Sequence, residues 1–185
     1  MNFEKFLQDK PRNFNHRRMS YVFEEDDDGD LELTESDAEK IVNTLIPKII
    51  ATLRENINFN AKTVDDVSDT LDKVLNKIRR ADLDQIDPEL KKYQGLNMDA
   101  VIDVHELSHS IYRWIHHDYY PKDLKRGYEK SLGISKDIMP DDVVIKIAIC
   151  EIYTDLQKFL NDYSKNLIDD LKLEIRDYNN DKNNK

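Results

Sequence analysis

From Thr34 onward, apolar residues recur at three- and four-residue steps, the period of helices that each bury one stripe. Ala38, Ile41, Val42, Leu45, Ile49 and Leu53 form the first run. Pro47 lies within it, lacks a backbone donor, and is expected to kink or split the helix. Val64, Val67, Leu71, Val74, Leu75 and Ile78 form the second run. Thr34 with Asp37, and Thr63 with Asp66, match a capping box, in which side chains satisfy amides left unpaired at a helix start. Asp87-Pro88 predicts a short helix that Gly95 can end. Asn97 is read as opening a helix that runs to about His117, where Pro121 follows as a stop. Pro121 begins another helix to about Leu132, with Gly133 after it. Asp141 or Asp142 then opens a long pattern through Ile145, Ile149, Ile152, Leu156, Phe159, Tyr163, Leu167 and Leu171.

The first 33 residues read differently. Phe3, Phe6 and Leu7 suggest a short helix, and Lys10, Arg12, His16, Arg17 and Arg18 make a basic patch. An acidic run follows: Glu24, Glu25, Asp26, Asp27, Asp28, Gly29 and Asp30. Tyr21-Val22-Phe23 and Leu31-Glu32-Leu33 flank it and can pair as a small hairpin about Asp28-Gly29. The predicted architecture is all-α, an irregular bundle of five to seven helices. It comprises an N-terminal arm over 1–33, a helical domain over 34–178, and a tail over 179–185 that has nothing to bury and is expected to be disordered. A final helix of roughly 35 residues would span about 50 Å, against a diameter of roughly 40 Å for a compact domain of this size. That excess predicts a coiled-coil-like seam at Tyr163, Leu167 and Leu171, and through it a homodimer or a captured partner.

Composition narrows the functional classes. The net charge of −10 repels nucleic acid and favours a protein partner with a basic surface. With 36% charged residues the core is thin for the length, which again suits a chain that completes its burial with partners. Cys150, the one cysteine, rules out an intrachain disulfide, and its apolar surroundings predict burial. No apolar stretch approaches the ~18 residues of a membrane span, and the first residues lack a signal-peptide pattern. The expectation is a cytoplasmic protein with no membrane contact. Richness in Asn, Lys, Asp and Ile fits an AT-rich bacterial or phage genome.

The sharpest chemical motif is His105-Glu106-Leu107-Ser108-His109. Two histidines four apart on a helix point the same way and can share a zinc ion, with the glutamate as base toward the metal-bound water. A later stretch reads Glu151-Ile152-Tyr153-Thr154-Asp155. Together these resemble the two motifs of the gluzincin, or thermolysin-like, zinc metallopeptidases. The resemblance covers about ten residues. It implies zinc ligation by His105, His109 and Glu151, general-base catalysis by Glu106, and orientation of the first histidine by Asp155. A competing reading uses the helical wheel. Val101, Val104, Leu107, Ile111, Trp114 and Ile115 form a buried face, and His105, His109, Tyr112 and His116 share a flank at a helix–helix seam.

Two weaker patterns complete the reading. Glu24 to Glu35 places carboxylates at positions 1, 3, 5 and 12 of an EF-hand-like loop, with Gly29 at 6 and Leu31 at 8. A solvated acidic turn is the preferred reading, and calcium is not expected. Leu132 to Ile138 resembles the turn of a helix-turn-helix, but Pro140, Asp141 and Asp142 fall where a recognition helix would meet phosphates. The expected function is therefore a cofactor-free, non-catalytic interaction protein: an adaptor, an assembly factor or an inhibitor. It would bind a basic partner through Glu24, Glu25, Asp26, Asp27, Asp28 and Asp30 and through amphipathic helical surfaces. A small zinc peptidase and an acidic nucleic-acid mimic are the alternatives.

Overall fold

Helix starts in this chain are set locally. Thr63 Oγ1 accepts the Asp66 amide while Asp66 Oδ2 accepts the Thr63 amide, both at 3.1 Å, and Thr34 with Asp37 forms the second capping box. The structure, a computed structural model, describes residues 33–183. In chain order it has α1 (Glu35–Glu55), α2 (Val64–Ile78), the short α3 (Leu83–Ile86), a 3-10 helix (Pro88–Tyr93), the short α4 (Met98–Val101), α5 (Val104–Asp118), α6 (Pro121–Leu132) and α7 (Asp141–Asn183). Among the described residues there is no strand, only an isolated bridge between Asp82 and Asn97. The fold is all-α. The hairpin expected at Tyr21–Leu33 falls almost wholly outside the described residues.

α1 and α7 form the spine. They run antiparallel: Leu33 and Glu35 lie against Asn179 and Arg176, and Arg54 reaches Tyr153, Thr154 and Gln157. α2 packs on α5, and α6 on the first half of α7. The seam between α1 and α7 buries Ile41, Leu45, Ile49 and Leu53 with Ile152, Leu156, Leu171 and Ile175. Each fully buried Leu or Ile contributes about 1.5–3 kcal/mol. The exposed ion pairs along the rim, Lys172 with Glu39 and Arg176 with Glu35, add little beside that.

Three expectations are corrected. α1 runs unbroken for 21 residues through Pro47. Pro47 and Asn43 are both exposed, so the carbonyl that loses its donor faces water while Leu45, Ile46, Ile49 and Ile50 stay packed on both sides. The helix read from Asn97 to His117 is two helices. Asn97 caps α4, its side chain accepting the Ala100 amide at 2.9 Å, and extended Ile102 breaks the run before Asp103 caps α5. The tail is helical as far as Asn183, anchored by buried Ile175 and by a 3.0 Å bond from Asn179 Nδ2 to the Leu33 carbonyl.

The seam expected at the end of α7 is partly covered. Leu171 is buried, and Tyr163 and Leu167 are half-buried against the core. At ~1.5 Å per residue, the 43 residues of α7 span about 65 Å. α6 covers the first part of that length and α1 the rest, end to end. Of the stripe read as a surface for a second chain, Leu171 is thus covered within the chain, while Tyr163 and Leu167 are covered in part.

Candidate functional site

Asp103 Oδ1 accepts the Glu106 amide at 2.9 Å and starts α5. The wheel then buries Val104, Leu107, Ile111, Trp114 and Ile115, as the period requires. Trp114 stacks on Phe159 of α7 at 4.6 Å between ring centroids and meets Tyr119 edge-on at 5.4 Å. These contacts fix the rotation of α5, and with it the direction of the histidine flank.

His105 and His109 are exposed. Glu106 is half-buried and accepts the Ser110 hydroxyl at 3.3 Å. His116 turns toward α2, its Nε2 3.1 Å from Asp65 Oδ1 and its ring 4.0 Å from Tyr112. Ser108 donates to Asp72, also on α2. Ser108 and His116 thus form a polar seam between two helices.

On α7 the second motif has its own partners. Tyr128 of α6 donates to Glu151 Oε2 at 2.5 Å, and Tyr119 donates to Asp155 Oδ2 at 2.8 Å. Burial, reinforced by these bonds to carboxylates, pushes both phenols well above their ordinary pKa of 10. Both tyrosines therefore stay neutral donors at any ordinary pH, holding Glu151 and Asp155 in place. Among the described residues, no group of three or more His, Cys, Asp or Glu side chains is placed to hold a metal ion. His105, His109 and Glu151 are not brought together.

What the geometry does bring together is a depression of about 520 Å³ on the outer face of α7. Lys146, Ile147, Cys150, Glu151, Thr154 and Asp155 line it. Cys150 is exposed here, contrary to the expectation of burial. The buried phase of α7 runs through Ala148, Ile149, Ile152 and Leu156, and position 150 falls on the opposite side. Glu151 and Asp155 each commit one oxygen to a tyrosine, and the second oxygen of each has no hydrogen-bond partner among the described residues.

The acidic run Glu24, Glu25, Asp26, Asp27, Asp28 and Asp30 lies outside the described residues. Glu35, last of the proposed calcium-loop positions, begins α1 and accepts Arg176 Nε at 3.1 Å and Nη2 at 2.9 Å. Sequence reasoning missed Tyr128 and Glu129. Tyr128 was open to discovery, because the wheel of α6 puts it with Leu124 on one face. Glu129 gave no signal, since its partners are amides of a link with no regular pattern. Comparison of the chain with protein-family models, with curated proteins and with solved structures finds no match.

Proposed function

We propose that this chain is a non-catalytic interaction protein, an adaptor, assembly factor or inhibitor, that receives a basic amphipathic segment of a protein partner on the first half of α7. The observation that carries the reading is the α7 depression. Ile147, Cys150 and Thr154 recur at helical steps and give it a weakly polar stripe, and Glu151 and Asp155 rim it beside Lys146. Because tyrosine hydroxyls already orient both carboxylates, a partner's Lys or Arg meets a site with little ordering left to do. The depression is shallow and open, lined by side chains of α7 alone, which suits a segment laid along the helix rather than an enclosed ligand.

The test uses a labelled synthetic Leu/Lys amphipathic helix, titrated by fluorescence anisotropy against the full chain. Binding is expected at low salt, with loss near 1 M, where the Debye length is about 3 Å. The double variant Glu151→Gln, Asp155→Asn keeps acceptors for both tyrosines but removes the charge, and should weaken binding by about tenfold or more. No binding at low salt, or binding indifferent to salt and to the double variant, would overturn the proposal.

A further inference from the structure

Charge is sorted along this chain. Residues 1–23 hold five cations, Lys5, Lys10, Arg12, Arg17 and Arg18, against the two carboxylates of Glu4 and Asp9, a net +3. With −10 overall, residues 24–185 carry −13. From Lys10 to Phe23 there are four cations and no carboxylate, with Phe14 among them. This stretch lies outside the described residues, so its chemistry is known and its place is to be argued.

The α7 depression has the opposite lack. Among the described residues, neither Glu151 nor Asp155 has a cation within ion-pair distance. Lys146 turns back one helical turn to Asp142, at 3.8 Å, and Arg54 gives its guanidinium to the carbonyls of Tyr153 and Thr154 and to Gln157. Tyr119 registers the surplus: besides burial and its bond to Asp155, the fields of Asp155, Glu151 and Asp118 all push its phenol upward. Beside the two carboxylates, half-buried Ile147 and exposed Cys150 offer a ring something apolar to lie on.

The basic stretch can reach that depression in its own molecule. The Leu33 carbonyl accepts Asn179 Nδ2 at 3.0 Å, which fixes where the preceding residues join the fold. From Asn179 back to Asp155, α7 covers about 36 Å at ~1.5 Å per residue. The chain from Arg18 to Leu33, fully extended, spans about 50 Å. Spacing agrees with reach. Glu151 and Asp155 lie about 6 Å apart along the helix axis, and alternate residues of an extended chain recur at about 6.7 Å.

We infer, resting on the reading of the depression as a site for a basic segment, that residues 10–18 occupy it in the same molecule and compete there with the partner. Laid from Asp155 toward the start of α7, Arg18 meets Asp155, His16 meets Glu151 and Phe14 covers Ile147. A tether of this length holds the segment at a local concentration on the order of millimolar. A partner present at micromolar levels must therefore displace it, which makes the contact autoinhibitory.

Cys150 is the only cysteine, so its alkylation by N-ethylmaleimide, followed by intact-mass spectrometry, reads cover at the depression alone. At low salt the full chain should react about fivefold or more slowly than the segment variant Lys10→Gln, Arg12→Gln, Arg17→Gln, Arg18→Gln, at a rate independent of protein concentration. Losing four cations would by field alone disfavour the thiolate and slow the reaction, so the acceleration reports uncovering. The pair Glu151→Gln, Asp155→Asn should speed the full chain more than it speeds the segment variant. The labelled Leu/Lys helix should bind the segment variant about fivefold or more tightly than the full chain. Equal alkylation of the two chains overturns the inference, the result expected if residues 10–18 pair with Glu24–Asp30 instead. Protection that grows with protein concentration overturns it in favour of a second copy. Equal helix binding by both chains overturns it and leaves the proposed function standing, whereas helix binding to neither overturns that function and this inference with it.

Discussion

Tyr93 donates its phenolic hydrogen to Asp37 Oδ1 at 2.6 Å, tying the 3-10 helix to the first turn of α1 inside the core. Lys92 reaches the same oxygen at 2.8 Å, and Thr34 takes the other. One carboxylate thus caps a helix and joins two segments more than fifty residues apart. Burial alone would raise its pKa. Hydrogen bonds from Lys92, Tyr93 and Thr34 outweigh that and hold Asp37 well below its ordinary 3.8.

The sign of the pH dependence follows. A carboxyl depressed by folding stabilises the native state fully above its unfolded value near 3.8, and that contribution drains as pH falls toward the lower folded value. Urea unfolding as a function of pH should therefore show stability dropping below about pH 4, with a shallower drop in Asp37→Asn. At pH 7, Asp37→Ala should cost about 2–4 kcal/mol, because it removes a cap and leaves the buried Tyr93 hydroxyl unpaired. Tyr93→Phe should cost about 1 kcal/mol, since Asp37 keeps Lys92 and Thr34.

Leu171 tests which surface covers the end of α7. Buried against α1, it should cost about 2–5 kcal/mol when cut to alanine. The loss should be independent of protein concentration in chemical denaturation. A loss that grew on dilution would return Leu171 to an interface between chains.

Trp114 is the only tryptophan, so its fluorescence reports on one place. It stacks on Phe159 with the ring planes 20° apart. Phe159→Ala should cost about 3–5 kcal/mol and let water reach the indole, shifting emission to the red. A destabilised variant with unshifted emission would mean the cavity stays dry or collapses.

Glu129 holds two amides that otherwise face no acceptor. The Met139 amide, with those of Asp137 and Ile138, keeps its carboxyl below the usual range, so the clamp persists above that range and is lost as pH falls through the folded value. Glu129→Gln leaves one oxygen for two donors. Hydrogen exchange at Asp137 or Met139 should then quicken by about tenfold or more, with little change in α1.

Features closed within a few residues were readable in advance. Thr63 with Asp66, Pro121 at the start of α6 and Gly133 after it all act over less than two turns, and each stands where the pattern placed it. The buried face from Val104 to Ile115 was equally plain, because one period governs it. Errors arose where a distant partner decides. Whether Tyr163 to Leu171 faces a second chain depends on α1, more than a hundred residues away. The break at Ile102 depends on that residue being fully buried while extended, which no local signal announces. At the site, the residue types at 151 and 155 were legible, but not what they face. Tyrosine hydroxyls from α6 and from the residue after α5 occupy positions that the motif alone would give to a metal and a histidine.

The pairing of α1 with α7 also sets the order of events at the ribosome. Among the described helices, the first long one has as its main neighbour the last in chain order. At roughly 5–20 residues per second, the ~130 residues between the end of α1 and the end of α7 take on the order of 10 s to synthesise. For that interval the stripe from Ile41 to Leu53 lacks its main native cover, and a nascent chain would offer it to chaperones. The spine of the fold is thus a late closure, which waits until α7 has cleared the ribosome.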